Sequence, residues 1–308
     1  MEKYALFIGC NIPVKVEQYE SSARAVLDKL NVEVTDIDTF NCCGYPLKNV
    51  DQAGWLLSSA RNIALAESRG QNLLTLCQCC FGSLKTAAAK LKEDKETKDS
   101  INEILAKENL EFQGVCKIEH LLSMLHNEVT IKTIEEKTID KYKDLNIATH
   151  YGCHALRPSK IMEFDDPVKP SLFDNLVNVT GADSIEWALK LDCCGAPVLG
   201  INDDLSLDLT EKKLNNAKKA GADFICVSCP WCYMQFDKIQ GRIHAEPGKS
   251  DCLPSILYPQ LLGLRLGISK KDLGIKSSEH MDTETVTQAF SKLFDTKEKK
   301  LKKKKKKA

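Results

Sequence analysis

Short, mostly apolar runs occupy Tyr4 to Ile8, Leu73 to Leu76, Leu145 to Thr149 and Phe224 to Val227. Runs of this length bounded by polar turns are predicted as buried strands of a parallel sheet. Between them, apolar residues recur at helical spacing over Val16 to Leu30, Ala53 to Ala66 and Leu209 to Ala220, and Gly221 is a natural C-cap for the last. Strands alternating with helices predict an α/β protein with parallel sheets.

The pattern occurs twice. Cys10 follows the first strand; 31 residues later comes Cys42-Cys43-Gly44, and 33 residues after the pair comes Cys77-Gln78-Cys79-Cys80. In the second half Cys153 is followed after 39 residues by Cys193-Cys194-Gly195, and after 34 more by Cys229-Pro230-Trp231-Cys232. Ile8-Gly9-Cys10 matches Tyr151-Gly152-Cys153, and Gly44-Tyr45-Pro46 matches Gly195-Ala196-Pro197. Internal duplication is the simplest account. The expected architecture is two similar halves, each a Rossmann-like parallel sheet with flanking helices. Their bounds are placed at residues 1–145 and 146–267, with 268–308 as a peripheral C-terminal segment. Residues 92–110 are charged and read as a solvated helical insertion, and 128–144 as a helix and linker closing the first half. Ligands of such sheets bind at strand carboxyl ends, so all ten repeated Cys are expected there.

Composition adds two points. The formal charge of zero hides a basic tail: residues 297–308 hold nine Lys and one Glu, leaving 34 basic and 42 acidic side chains elsewhere. An acidic body argues against a nucleic-acid-binding fold, and the tail reads as a solvated terminus. No apolar run is long enough to span a membrane, and the N-terminal residues lack a secretory pattern, so a cytoplasmic protein is expected. Fourteen Cys in such a chain point to metal rather than disulfides.

A structural zinc takes four ligands, whereas each half offers five thiols. Adjacent Cys diverge and suit neighbouring irons better than one ion, so an iron–sulfur cluster fits the count best. Zinc and a redox dithiol stay open on spacing alone.

Two copies of C-xn-C-C-G-xn-C-x-x-C, with His150-Tyr-Gly-Cys153-His154-Ala-Leu-Arg157-Pro158-Ser159 and Cys229-Pro-Trp-Cys232-Tyr-Met-Gln-Phe-Asp237, resemble the B subunit of heterodisulfide reductase across residues 1–267. The second gaps run slightly short of the nominal pattern, which implies trimmed helices. The resemblance implies two noncubane 4Fe-4S clusters, held by Cys10, Cys42, Cys43, Cys77 and Cys80, and by Cys153, Cys193, Cys194, Cys229 and Cys232. It implies reduction of a mixed disulfide of two thiol coenzymes, of the coenzyme M–coenzyme B type, or the reverse reaction. It also implies partners: the FAD-bearing A subunit and the ferredoxin-like C subunit of heterodisulfide reductase, and in larger assemblies a hydrogenase or formate dehydrogenase. The setting it implies is anaerobic metabolism such as methanogenesis with electron bifurcation.

Relatives of this type often carry His after the second C-x-x-C, where this chain has Tyr233. His154 is then the best proton donor, with a hydrogen bond to cluster sulfur as its bland alternative. Arg157 is a candidate partner for an anionic substrate group, or a surface ion pair. Trp231 is placed to shield sulfur from water. Cys79, Cys116, Cys226 and Cys252 read as small buried residues, and His120 and His126 as packing. Two rivals remain: a CCG-type electron-transfer protein relaying electrons to a quinone or membrane partner, and a zinc-binding assembly factor. The absence of ferredoxin-type Cys runs on this chain favours a separate B subunit.

Overall fold

Strand β1 (Tyr4–Phe7), buried along its whole length, pairs in parallel with β2 (Val34–Thr35) on one side and with β3 (Asn72–Thr75) on the other. β4 (Ile118–His120) extends β3, giving the order β2-β1-β3-β4. The helices of this half are α1 (Glu17–Lys29), α2 (Gln52–Glu67), α3 (Gln78–Glu93), α4 (Lys95–Leu105) and α5 (Ile131–Lys137). The second half repeats the plan: β5 (Asn146–His150), β6 (Asp183–Ser184), β7 (Phe224–Val227) and β8 (Ser255–Leu257) lie in the order β6-β5-β7-β8, all parallel. Its helices are α6 (Leu172–Asn178), α7 (Asp203–Lys219), α8 (Pro230–Met234), α9 (Tyr258–Arg265) and α10 (Glu284–Leu293), single-turn helices aside. The computed structural model describes residues 2–244, 253–275 and 284–294; Cys252, His280 and the Lys-rich tail lie outside them, as does the side chain of His244.

The expected strands and helices are present. The two-residue strands β2 and β6, and the edge strands β4 and β8, escape a periodicity reading. α4 also buries Ile101 and Leu105, so only its outer face is solvated. At the C-terminal end, Phe290 of α10 stacks edge-on against Phe224 at a centroid distance of 5.3 Å, and Lys292 reaches Asp223 at 2.6 Å.

The two halves meet through buried polar bonds as well as apolar packing. The hydroxyls of Tyr19 and Ser228 are 2.7 Å apart. Tyr142 donates to the Leu261 carbonyl at 2.9 Å. His120 Nε2 faces the Ser228 carbonyl at 3.2 Å, while its Nδ1 accepts the Leu122 N–H at 3.2 Å. Both contacts are satisfied at once by the neutral ring with its proton on Nε2.

Burial lowers the His120 pKa to about 4. The unfolded chain takes up this proton as pH falls through the ordinary His range, while the folded chain resists it until about pH 4. Stability is therefore full above the unfolded value and falls through that window, by about 3 kcal/mol once both values are passed. Urea unfolding of the metal-free protein at pH 7 and pH 4 should show this loss. His120→Gln should reduce the difference by about that amount.

Candidate metal centre

In an open parallel sheet the crevice forms beyond the strand carboxyl ends, where the strand order reverses. That point falls between β1 and β3 in one half and between β5 and β7 in the other. β1 and β3 run into Cys10 and Cys77, and β5 and β7 into Cys153 and Cys229. The adjacent pairs arrive on the loops that precede α2 and α7.

Those loops are shaped by their glycines. Gly44 has φ 76° and Gly195 φ 94°, in the left-handed region. A Cβ on Gly44 would sit 3.0 Å from the Trp55 carbonyl oxygen, and one on Gly195 would sit 2.6 Å from that of Ser206. Only glycine fits both demands. The preceding carbonyls are then pinned to the helices: Ser59 donates to Cys43 O at 2.7 Å, and Thr210 to Cys194 O at 3.0 Å. Asp51 and Asn202 cap the two helices by accepting from Gly54 and Leu205 N–H.

The thiols form two equivalent sets. Cys42 Sγ lies 3.7 Å from Cys10 Sγ; Cys43 contacts Cys42 and Cys80, and Cys80 contacts Cys77. In the second half Cys193 contacts Cys153 and Cys194, Cys194 contacts Cys232, and Cys232 contacts Cys229. Hydrogen bonds from Cys10 and Cys43 pull Cys42 far below the ordinary thiol range, and those from Cys153 and Cys194 do the same to Cys193. The neighbours are pushed up in turn, Cys43 and Cys194 each to about 12. Charge therefore gathers on a few sulfurs, Cys42 in the first set and Cys193 and Cys229 in the second, the last lowered by hydrogen bonds from Cys232, Cys77 and Cys79.

The two sets touch. The sulfurs of Cys77, Cys79 and Cys229 lie within 4.8 Å of one another, as do the ligand atoms of His150, Cys194 and Cys232. A donor set made almost wholly of thiols selects a soft, thiophilic metal. Five sulfurs per half, linked in a chain of contacts, exceed a tetrahedral zinc site and fit an iron–sulfur group. No disulfide joins any of the described cysteines.

A narrow cleft of about 30 Å³, room for little more than a water, opens over the first set, lined by Ile8, Cys10, Cys42, Tyr45, Cys79 and, from the other half, Trp231. His154 bridges the two halves behind two of the residues lining it, Tyr45 and Cys79: Nδ1 lies 3.4 Å from Cys79 Sγ and 3.6 Å from Cys153 Sγ, and Nε2 lies 3.2 Å from the Tyr45 hydroxyl. Burial lowers the His154 pKa, with the Lys48 charge adding to it against the thiolates of Cys229 and Cys193. Burial and the thiolates raise that of Tyr45. With metal-bound sulfur at Cys153 able only to accept, the fitting tautomer has Tyr45 donating to Nε2 and the imidazole proton on Nδ1, facing sulfur.

The remaining candidates scatter. Arg157 is exposed and makes no ion pair among the described residues. Tyr233 is buried against Gln18 and Asp237, not against sulfur. Cys226 is buried in β7, whereas Cys116 is only half-buried. Cys79 is buried but aims at His154, which a small-packing reading misses. Sequence reasoning also passes over Tyr45, His150 and Lys213. The signal for all three is the same: each differs from its partner in the other repeat.

The family model for the cysteine-rich CCG domain matches residues 4–85 and again 147–237. The chain is 37% identical to the B subunit of the ferredoxin:CoB-CoM heterodisulfide reductase of Methanosarcina mazei, over 94% of this chain and 98% of that one. It is 32% identical to the 8-methylmenaquinol:fumarate reductase membrane anchor subunit of Wolinella succinogenes, over 89% and 95%. A hypothetical protein from Helicobacter pylori shares the fold, with a TM-score of 0.70 and 20% identity; the match covers 92% of this chain and about half, 52%, of that chain.

Gly44→Ala and Gly195→Ala should each destabilise the metal-free protein by about 1–3 kcal/mol. Each should also weaken metal retention in its own half. Thermal unfolding and metal analysis of the two variants check this, and Gly70→Ala, with open space around it, is the control for metal retention.

Proposed function

The chain belongs to the CCG family of cysteine-rich domains, as do the heterodisulfide reductase B subunits, and on that premise we propose that it reduces a mixed disulfide to two thiols. Cys10, Cys42, Cys43, Cys77 and Cys80 would hold one noncubane 4Fe-4S cluster, and Cys153, Cys193, Cys194, Cys229 and Cys232 the other. The observation that carries this reading is the meeting of two equivalent five-thiol sets at one junction, with His154 between them. Disulfide reduction takes two electrons and two protons, and each cluster, when bound, supplies one electron at a time.

The protein's own residues supply the rest. The disulfide would enter where the halves meet, at the narrow cleft that Trp231 lines, which must widen to take it. His154, neutral and oriented by Tyr45, presents a proton at Nδ1 to a departing thiolate. Arg157, without an ion pair among the described residues, offers its guanidinium to an anionic group on the substrate. Tyr233 has no part in this reading, because its contacts lie elsewhere. The substrate is a coenzyme M–coenzyme B type disulfide. The electron donors are the ferredoxin-like C subunit and the FAD-bearing A subunit of the same complex. A larger assembly with a hydrogenase or formate dehydrogenase fits the same role.

A second reading is favoured by the similarity to the fumarate reductase anchor protein. In that reading the same sites of this chain would relay electrons to a quinone or membrane partner and cut no disulfide. Among the described residues no helix is long and apolar enough to cross a membrane.

Anaerobically purified protein should hold about eight iron per chain, and Cys42→Ser or Cys193→Ser should each remove about half. With a reduced viologen as donor, the coenzyme M–coenzyme B disulfide should yield two thiols. His154→Phe should slow this by about 10²-fold or more at unchanged iron content. Full iron content with electron transfer to a quinone analogue and no thiol release would instead establish the relay.

A further inference from the structure

The duplication is broken where it matters for electrons. Strand register identifies the equivalent residues. Phe7 pairs with Thr75, two residues before Cys77, and His150 pairs with Val227, two residues before Cys229. The second half therefore carries an imidazole where the first carries a phenyl ring. Its Nε2 lies 3.3 Å from Cys232 Sγ. A thiolate bound to metal can only accept, so in the loaded site that contact would be an N–H···S bond with the ring proton on Nε2, leaving the buried Nδ1 without a hydrogen bond. Nothing of the kind can come from Phe7.

A second difference lies on the helices that pin the adjacent Cys pairs. In the first half the amide of Asn62 donates to the carbonyls of Asn41 and Cys42, at 3.2 Å each. In the second half Lys213 takes this place: its ammonium donates to Asp192 O at 2.9 Å and also to Leu189 O. Asp192 precedes Cys193 as Asn41 precedes Cys42. Lys213 is buried, with Nζ 4.6 Å from the centroid of the Trp187 ring. A neutral amide has been replaced by a buried cation; Asn41 has also become Asp192, but that carboxylate is exposed and screened by water, whereas the ammonium is held inside the fold.

Adding an electron to a thiolate-bound centre adds negative charge. Hydrogen bonds to its sulfurs and a nearby cation stabilise that charge and raise the potential. Burial strengthens both effects. Exposure of Cys10 to water acts the other way, but through solvent dipoles rather than a full charge held inside the fold.

We propose that the second-half site (Cys153, Cys193, Cys194, Cys229, Cys232) is held at the higher reduction potential, with His150 and Lys213 as its positioning residues. One electron entering the pair settles in the second half, and the two sulfurs of a bound disulfide are reduced in a fixed order. This rests on the reading that each half holds an iron–sulfur cluster.

The test is an EPR-monitored redox titration of the anaerobically purified full chain, with iron content measured on every sample. Two one-electron waves are expected. Cys42→Ser, which empties the first half, should leave the higher one. His150→Phe and Lys213→Asn, which install the first-half residues, should each lower the higher wave and leave the other in place. The loss should be at least tenfold in the electron's preference, about 59 mV for a one-electron couple. His150→Gln, which keeps an N–H donor, should retain part of the separation. Phe7→His should raise the lower wave. Clusters present at equal potentials, or a lower wave left after Cys42→Ser, would overturn the inference alone. So would a Phe7→His protein with full iron and unmoved waves. Iron-free protein would overturn the cluster reading and this inference with it.

Discussion

Ten sulfur atoms gathered at one junction cannot all carry charge in a buried site unless cations lie among them. Mutual repulsion at low dielectric is too strong. The crowding divides the sulfurs: hydrogen bonds from their neighbours lower Cys42, Cys193 and Cys229, while Cys43, Cys80, Cys194 and Cys232 are pushed up. Everything around the junction serves that crowding. The strand order opens a crevice beside β1 and β3, and beside β5 and β7. The left-handed glycines turn the adjacent pairs inward, and Ser59 and Thr210 fix their carbonyls. A fold that brings thiols this close gains little from them alone and much from a metal that neutralises them.

The same geometry explains why one chain holds both sets. Ser228, next to Cys229, accepts from His120 through its carbonyl and meets Tyr19 through its hydroxyl. The first half therefore grips the second at a residue covalently joined to a thiol of the junction. Separate chains would have to recover that alignment with every encounter, whereas tandem copies keep it.

Much of this is legible in the sequence because it is written in rigid local chemistry. A lone Cys after an apolar run, a Cys pair before Gly and a C-x-x-C opening a helix each specify a backbone position. Two copies in register specify the architecture. The edge strands are not legible, since β2 and β6 are two residues long and carry no period. Tyr233 and Arg157 stand close in sequence to a motif, but side-chain direction is set by packing across the halves, which turns Tyr233 toward Gln18. Tyr45 and His154 meet from positions 109 residues apart, which no local pattern encodes. His150 and Lys213 are hidden differently, because a search for likeness between repeats discards the places where they diverge.

Cys10 is the exposed member of the ten, whereas its counterpart Cys153 is half-covered. Thiol oxidation follows access as well as thiolate character. Access therefore gives injury by air a direction: it favours the N-terminal strand end, where exposed Cys10 adjoins the half-covered Cys42, the sulfur with thiolate character. Preparations handled without care would age into a mixed population in which one half is intact and the other spent. On the two-cluster reading, their loss of two-electron chemistry would run ahead of their loss of colour.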